Sequence, residues 1–165
     1  MMKDPASALL TLDEAVALRA ELKKQNRTLV ITNGCFDLLH MGHASYLYEA
    51  AKQGDELWVL INSDSSVSAL KGPTRPLVPQ IPRAYMLGAL ESVSRVIVFD
   101  SPRCDKELAA LEPDVYVKAG DYTLDTLDAG ERAALLKGSS KIVFMPFVEG
   151  FSTTNIVEKI RKSLQ

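Results

Sequence analysis

Thr28-Leu29-Val30-Ile31-Thr32 runs directly into Asn33-Gly34-Cys35-Phe36-Asp37-Leu38-Leu39-His40-Met41-Gly42-His43. The first five residues are β-branched or apolar with no polar alternation, the pattern of a short strand buried on both faces. Gly34 permits a tight turn out of that strand. A helix is expected from about Gly42 to Gln53, so His40 lies just before its start and His43 in its first turn. A buried strand, a glycine turn and a helix form the opening unit of a parallel α/β sheet. In such sheets ligands bind beyond the carboxyl ends of the strands.

Working outward, the same alternation recurs. Glu56–Ile61, Arg95–Phe99, Val115–Lys118 and Lys141–Met145 are four more apolar runs of strand length. Helical spacing is found over Leu12–Lys24, where Thr11 and Glu14 have capping-box separation, and over Lys106–Leu111, Leu127–Leu136 and Thr153–Leu164. Lys71–Gln80 contains three prolines and a glycine and is expected to be a loop. Pro82 suits the first turn of a helix reaching about Ser92. The expectation is a single α/β domain with a five-stranded parallel sheet covered on both faces. Residues 1–27 form an N-terminal helical segment and residues 28–165 the core.

Composition bounds the function. The 165 residues are 47% hydrophobic and 24% charged with a net charge of −2, which suits one soluble domain and lacks the basic footprint of a nucleic-acid binder. Cys35 and Cys104 fit neither a disulfide framework nor zinc spacing. No membrane span or signal peptide is read, so a cytoplasmic location is expected.

The 33–43 segment carries the chemistry. A helix N-terminus offers free amides and a positive dipole end, and two imidazoles beside it would add donors for phosphate oxygens. Gly42 would let a phosphate or base approach the backbone. The plainer alternative is that the histidines only cap the helix or sit at the surface. A protein-held metal would need a third ligand, and the chain has no other histidine. Asp37 also fits a turn or cap, and the Cys35 and Phe36 side chains fit packing. Lys71 and Arg75 sit in the proline-braced loop and could neutralise a triphosphate, or simply be solvated. Arg83, at the next helix start, could face phosphate or solvent. Asn62 and Asp64 follow the second strand, with Asp64 also suited to an N-cap. Lys118, Gly120 and Asp121 follow the fourth strand, where a Lys-Asp pair could also simply stabilise a turn. Ser152, Thr153 and Thr154 precede the last helix, where hydroxyls and amides bind phosphate or cap. Trp58, Phe144 and Phe147 are read as packing.

Gly34-Cys35-Phe36-Asp37-Leu38-Leu39-His40-Met41-Gly42-His43 resembles the G-x-F-D-x-x-H-x-G-H signature of the cytidylyltransferase-like branch of the H-x-G-H nucleotidylyltransferases. The resemblance runs from about Leu29 to the C-terminus. Lys71–Pro76 (KGPTRP), Val117–Tyr122 (VKAGDY) and Pro146–Thr154 (PFVEGFSTT) are similar to segments of the heptose-phosphate adenylyltransferases. Ala119 stands where those enzymes usually have Gly, Val78 where Asn is frequent, and Ile81-Pro82 where an acidic pair is common.

The resemblance implies a Rossmann-like, doubly wound sheet. It implies transfer of AMP from ATP to a sugar 1-phosphate, D-glycero-D-manno-heptose 1-phosphate, with release of pyrophosphate and with Mg2+ accompanying ATP. That reaction forms ADP-heptose for lipopolysaccharide. His40, His43 and Lys71 become the expected catalytic residues. Gly34, Cys35, Phe36, Asp37, Gly42, Asn62, Asp64, Arg75, Arg83, Lys118, Gly120, Asp121, Ser152, Thr153 and Thr154 become the expected nucleotide-binding positions. A stand-alone transferase, without the sugar kinase found fused to it in some bacteria, and a homo-oligomer are also expected. No nucleic-acid or membrane partner is expected. The alternatives are a glycerol-phosphate or ethanolamine-phosphate cytidylyltransferase and, in another class, a non-catalytic nucleotide-binding domain.

Overall fold

The computed structural model describes residues 3–146, 148 and 150–164. Phe147 and Glu149 fall outside the described residues, so the packing role expected of Phe147 is not placed. A short 3-10 turn, Pro5–Ala8, leads into β1 (Leu9–Leu10) and α1 (Leu12–Lys24). Then follow β2 (Leu29–Gly34), α2 (Met41–Ala51), β3 (Glu56–Asn62), α3 (Asp64–Lys71), α4 (Gln80–Gly88) and β4 (Arg95–Phe99). The chain closes with α5 (Asp105–Leu111), β5 (Val115–Ala119), α6 (Ala129–Lys137), β6 (Lys141–Met145) and α7 (Thr153–Ser163).

All strand pairs are parallel, and the sheet order is β1-β4-β3-β2-β5-β6. The sheet therefore has six strands among the described residues, not the five expected. The extra one is β1, whose two residues pair with Val96 and Ile97 of β4. Two residues show no periodicity, so only the tertiary context marks them as a strand. The 1–27 segment thus contributes a sheet edge as well as a helix. The short α3 was also not anticipated. Ser63 caps it by accepting from the Ser66 amide, and its serine-rich sequence carries little apolar pattern. Pro82 lies in the third position of α4, within the first turn as expected, where its missing N–H is not needed; the helix ends at Gly88, short of the expected Ser92.

Two apolar layers flank the sheet. Leu29, Ile31, Trp58, Leu60, Ile97 and Tyr116 face one side and pack with α1, α5 and α6 residues such as Leu22, Leu108 and Leu135. Val30, Val59, Ile61, Val96 and Val117 face the other, against α2 and α4 through Leu47, Ala50, Ala84 and Leu87. The alternate facing follows from the period of two in a strand. Trp58 is fully buried, as expected of a core residue, with its indole N–H donated to Glu56.

The seams on either side of β2 differ, and this positions the cleft. β2 and β3 pair over six consecutive residue pairs, Leu29↔Glu56 to Gly34↔Ile61. β2 and β5 pair only at Val30↔Val115 and Ile31↔Tyr116 and then part. The chain winds outward from this seam in both directions, so it is the topological switch point. Tyr46 of α2 fills the opening. Its hydroxyl lies 2.6 Å from Thr32 Oγ1 and donates to the Val117 carbonyl at 3.0 Å. That bond satisfies a carbonyl beyond the end of the ladder.

Candidate active site

The β2–α2 turn is shaped by glycines and one strained residue. A Cβ on Gly34 would meet the Phe36 ring at 2.9 Å. Phe36 itself has φ 47, a left-handed conformation that costs a bulky residue of order 1–3 kcal/mol. Its ring rests against His43, centroids 5.1 Å apart. The conformation brings strand end and helix start together in a few residues.

His40 is the N-cap of α2, its Nδ1 accepting from the His43 amide at 3.4 Å. The plain capping role is therefore present, and it leaves Nε2 of His40 for other work. The rings of His40 and His43 stack at 3.7 Å and 20°. A Cβ on Gly42 would meet Phe151 Cβ at 3.0 Å and the His40 ring at 3.1 Å, so the small residue lets the last loop close onto the turn. Burial first, then the neighbouring His40 and Lys71, outweigh a raising contribution from the Leu38 backbone. The His43 imidazole is lowered from 6.5 to about 4, and burial also lowers His40. Two facing imidazolium ions are thereby avoided and His43 is neutral near pH 7. Its Nδ1 is buried with no hydrogen-bond partner among the described residues.

His40, Gly42, His43, Lys71, Ser152, Thr153 and Thr154 line one cavity of about 430 Å³, walled by Tyr46, Pro146 and Phe151. A second lobe of about 280 Å³ is lined by Asn33, Gly34, Cys35, Phe36, Asp37, Lys118 and Tyr122. The lobes share His43, Tyr46, Lys71, Ala119 and Thr153, so they form one continuous cleft over the parted β2–β5 seam. Ser152 caps α7 through the Asn155 amide at 3.0 Å. Thr153 and Thr154 occupy the first positions of α7, where helix amides have no intrahelical acceptor. Residues more than a hundred positions apart thus surround one space, with helix N-termini contributed by both α2 and α7.

Other expected residues are placed differently. Asp37 is 3% exposed and acts as a loop anchor. Its Oδ1 accepts from the Leu77 and Val78 amides at 2.8 and 2.9 Å, and Oδ2 accepts from Arg75 Nε. Those bonds and the guanidinium outweigh burial, the largest single influence, and hold its carboxyl below the usual range. Arg75 is thereby tied to Asp37 and lines neither lobe.

Arg83, expected to face phosphate or solvent, is 2% exposed and turned inward. It donates to the Val78 carbonyl at 2.9 Å, the Cys35 carbonyl at 2.6 Å and Asp64 Oδ1 at 2.8 Å. The forked guanidinium therefore clamps the proline loop, the β2 turn and the start of α3. Asn62 is buried, donating to Ser66 Oγ and accepting from the Cys35 thiol. Ser63, not Asp64, caps α3. Gly120 has φ 118 and donates its amide to Met145 O, closing the turn after β5. Asp121 is exposed and lines neither lobe.

Asn33, Tyr46, Tyr122 and Phe151 line the cleft without having been expected there. For Asn33 a signal existed, since it is a polar residue at the carboxyl end of a buried strand. Tyr46 lies on the His43 face of α2, three residues on, which helical spacing alone could have shown. Among the described residues no group of three or more His, Cys, Asp or Glu is arranged to hold a metal, and no helix is long and apolar enough to cross a membrane.

Residues 31–159 match the cytidylyltransferase-like family. The chain is 45% identical over 157 residues to the bifunctional protein HldE of Methylococcus capsulatus, covering 95% of this chain and 33% of that protein. It is 45% identical over 152 residues to the bifunctional protein HldE of Geobacter sulfurreducens, covering 92% and 31%. The chain spans about a third of the length of these curated relatives. Among solved structures, a lipopolysaccharide core biosynthesis protein from Thermoplasma volcanium superposes with TM-score 0.59 at 27% identity, over 74% of this chain and 97% of that one. A pantoate-beta-alanine ligase from Francisella tularensis shares the fold, with TM-score 0.57 at 14% identity over 94% and 78%. A motif at the strand–helix turn, a parallel sheet open at its switch point and a match spanning most of the sequence agree, and the chain belongs to the cytidylyltransferase-like family of nucleotidyltransferases.

Proposed function

We propose that the chain transfers AMP from ATP to a sugar 1-phosphate, D-glycero-D-manno-heptose 1-phosphate, and releases pyrophosphate. The observation that carries the reaction type is the single cleft lined by His40, His43, Lys71 and the Ser152–Thr154 helix start. The choice of heptose rests on the KGPTRP, VKAGDY and FSTT segments and on the likeness to HldE proteins and to a lipopolysaccharide core biosynthesis protein.

In this reaction an oxygen of the acceptor phosphate attacks the α-phosphorus of ATP in line. The bond from that phosphorus to the β-phosphate oxygen breaks, and the electron pair leaves with pyrophosphate. A phosphate monoester is already nucleophilic, so the protein has to position the partners and stabilise charge. The first lobe takes the nucleotide. His43 is neutral in the free protein; bringing phosphate charge beside it favours its protonated form, which can donate from Nε2 while Nδ1 stays buried. The Thr153 and Thr154 amides and Lys71 hold the β- and γ-phosphates. The second lobe, with Lys118, takes the acceptor phosphate. Asp37 and Arg83 act through the loop and turn they brace. Among the described residues no donor set cages a metal; magnesium bound to the nucleotide would neutralise its phosphates. A homo-oligomer belongs to the same proposal and is read by light scattering.

The test is pyrophosphate release with ATP or CTP against a panel of heptose 1-phosphate, glycerol 3-phosphate and ethanolamine phosphate. The proposal expects turnover with ATP and heptose 1-phosphate. Preference for CTP with glycerol phosphate or ethanolamine phosphate would replace the substrate, and tight ATP binding with no turnover on any acceptor would replace the enzyme by a binding domain.

A further inference from the structure

Behind Lys118 lies a buried carboxylate that the transfer chemistry leaves without a task. Glu131, in the first turn of α6, is 2% exposed and lines neither lobe of the cleft. Its Oε1 accepts from Asn33 Nδ2 at 3.3 Å and from the amide and the thiol of Cys104, each at 3.4 Å. Its Oε2 lies 3.9 Å from the Lys118 ammonium. Asn33 Oδ1 in turn accepts from Lys118 Nζ at 2.8 Å and from the Tyr116 hydroxyl at 2.7 Å. The Tyr116 and Tyr122 rings stand 6.0 and 5.4 Å from the same ammonium.

A carboxylate held out of water is costly unless a cation and hydrogen-bond donors face it. Here the donors come from α5's leading end and β2, and the cation is Lys118, whose side chain is 14% exposed. Lysine is a point charge on a flexible stem with three rotatable donors. One donor is engaged by Asn33 and the carboxylate draws the ammonium from a second direction, leaving donor capacity for the lobe that Lys118 lines. A mobile stem would lose rotamer freedom on meeting an anion; a tethered one has already lost it.

We propose that Glu131 is a positioning residue that, directly and through Asn33, holds the Lys118 ammonium oriented toward the acceptor phosphate in the second lobe. The assignment of that phosphate rests on the transferase reading above; the tether itself does not. Glu131 acts on the acceptor alone, because Asn33 and Lys118 line the second lobe and not the first.

Glu131→Gln keeps the volume and removes the charge. The expected result is a roughly tenfold rise in KM for heptose 1-phosphate with KM for ATP changed less than about twofold. In a Lys118→Met background the same substitution adds less than about twofold, the non-additivity of coupled residues. A purely structural role would raise both KM values or add independently, and either result overturns the proposal. A second measurement needs no turnover: acetylation of Lys118 by acetic anhydride, followed by peptide mass spectrometry. Loss of the carboxylate frees the stem from its half-buried tether, so the Lys118 amine is more open to the reagent and reacts roughly threefold faster or more in Glu131→Gln. Should Glu131→Gln not fold, Glu131→Asp, which keeps the charge but withdraws it, is expected to give an intermediate rate. Rates equal to the unsubstituted protein overturn the tether in either variant. A protein that releases no pyrophosphate with any acceptor refutes the transferase reading while the acetylation result still decides the tether.

Discussion

His43 and Arg83 were both expected within reach of phosphate, yet the fold gives them different partners and different tasks. His43 faces the cleft with a buried nitrogen that has no partner among the described residues. Arg83 faces the interior, with all three of its guanidinium nitrogens engaged by Val78, Cys35 and Asp64. The difference follows from donor geometry. A rigid fork of five N–H groups finds carbonyls and carboxylates and locks segments together, whereas an imidazole or an ammonium keeps capacity for a ligand. Charge sign and position in sequence do not separate these roles; burial and bond partners do.

The sharpest way to break the comparison is to remove both residues in turn. Arg83→Ala leaves the Val78 and Cys35 carbonyls without their donor and unpairs an Asp64 that water can still reach, and a loss of about 2–4 kcal/mol in unfolding free energy is expected in denaturant titration. Arg83→Lys is expected to restore little, because an ammonium cannot fork across three segments. A stable Arg83→Ala protein that has lost ATP binding would return Arg83 to the phosphate set.

His43→Ala should do the reverse. Turnover is expected to fall by roughly a hundredfold or more, about 3 kcal/mol in the transition state, in a protein that melts cooperatively. A folded His43→Ala protein with near-normal turnover would remove the imidazole from the chemistry.

Asp37→Asn tests the brace from the loop's side. The amide oxygen can still accept from Leu77 and Val78, but the Arg75 ion pair is lost. A cost of about 1–2 kcal/mol and a several-fold rise in KM for ATP are expected, measured by thermal melting and initial rates.

The smallest effect is on pH. A base whose folded value is depressed favours the native state fully above its unfolded value and loses that contribution as pH falls toward the folded one. For His43 the window is 6.5 down to about 4, with His40 displaced in the same direction. The carboxylates held low lose their contribution only below their ordinary values, 3.8 for Asp37 and Asp114 and 4.5 for the exposed Glu14 and Glu112. Tm is therefore expected to decline between pH 6.5 and 4, and less steeply in His43→Gln. Parallel profiles for the two proteins would contradict the depressed imidazole.

The sequence made the sheet's core legible because its strands are continuous apolar runs. The five long strands coincide with the expected ones to within a residue or two. β1 escaped notice because Leu9-Leu10 is too short to show a period, and α3 because Asp64–Lys71 relies on a Ser63 cap and on packing. The cleft was legible where residues cluster in sequence, at 34–43 and 152–154. The inward turn of Arg83 was not, since it depends on carbonyls of Cys35 and Val78 that only the fold brings within reach. The Glu131 carboxylate was equally hidden, as nothing local distinguishes it from a first-turn helix residue.

The central claim is that two helix starts, those of α2 and α7, grasp the same polyphosphate. A titration of 15N-labelled protein with magnesium and α,β-methylene ATP reads it directly. The imidazole signals of His40 and His43 and the amide signals of Thr153 and Thr154 are expected to move together along one binding curve. Movement of the amides with the imidazoles unchanged, or two curves of different affinity, would contradict it.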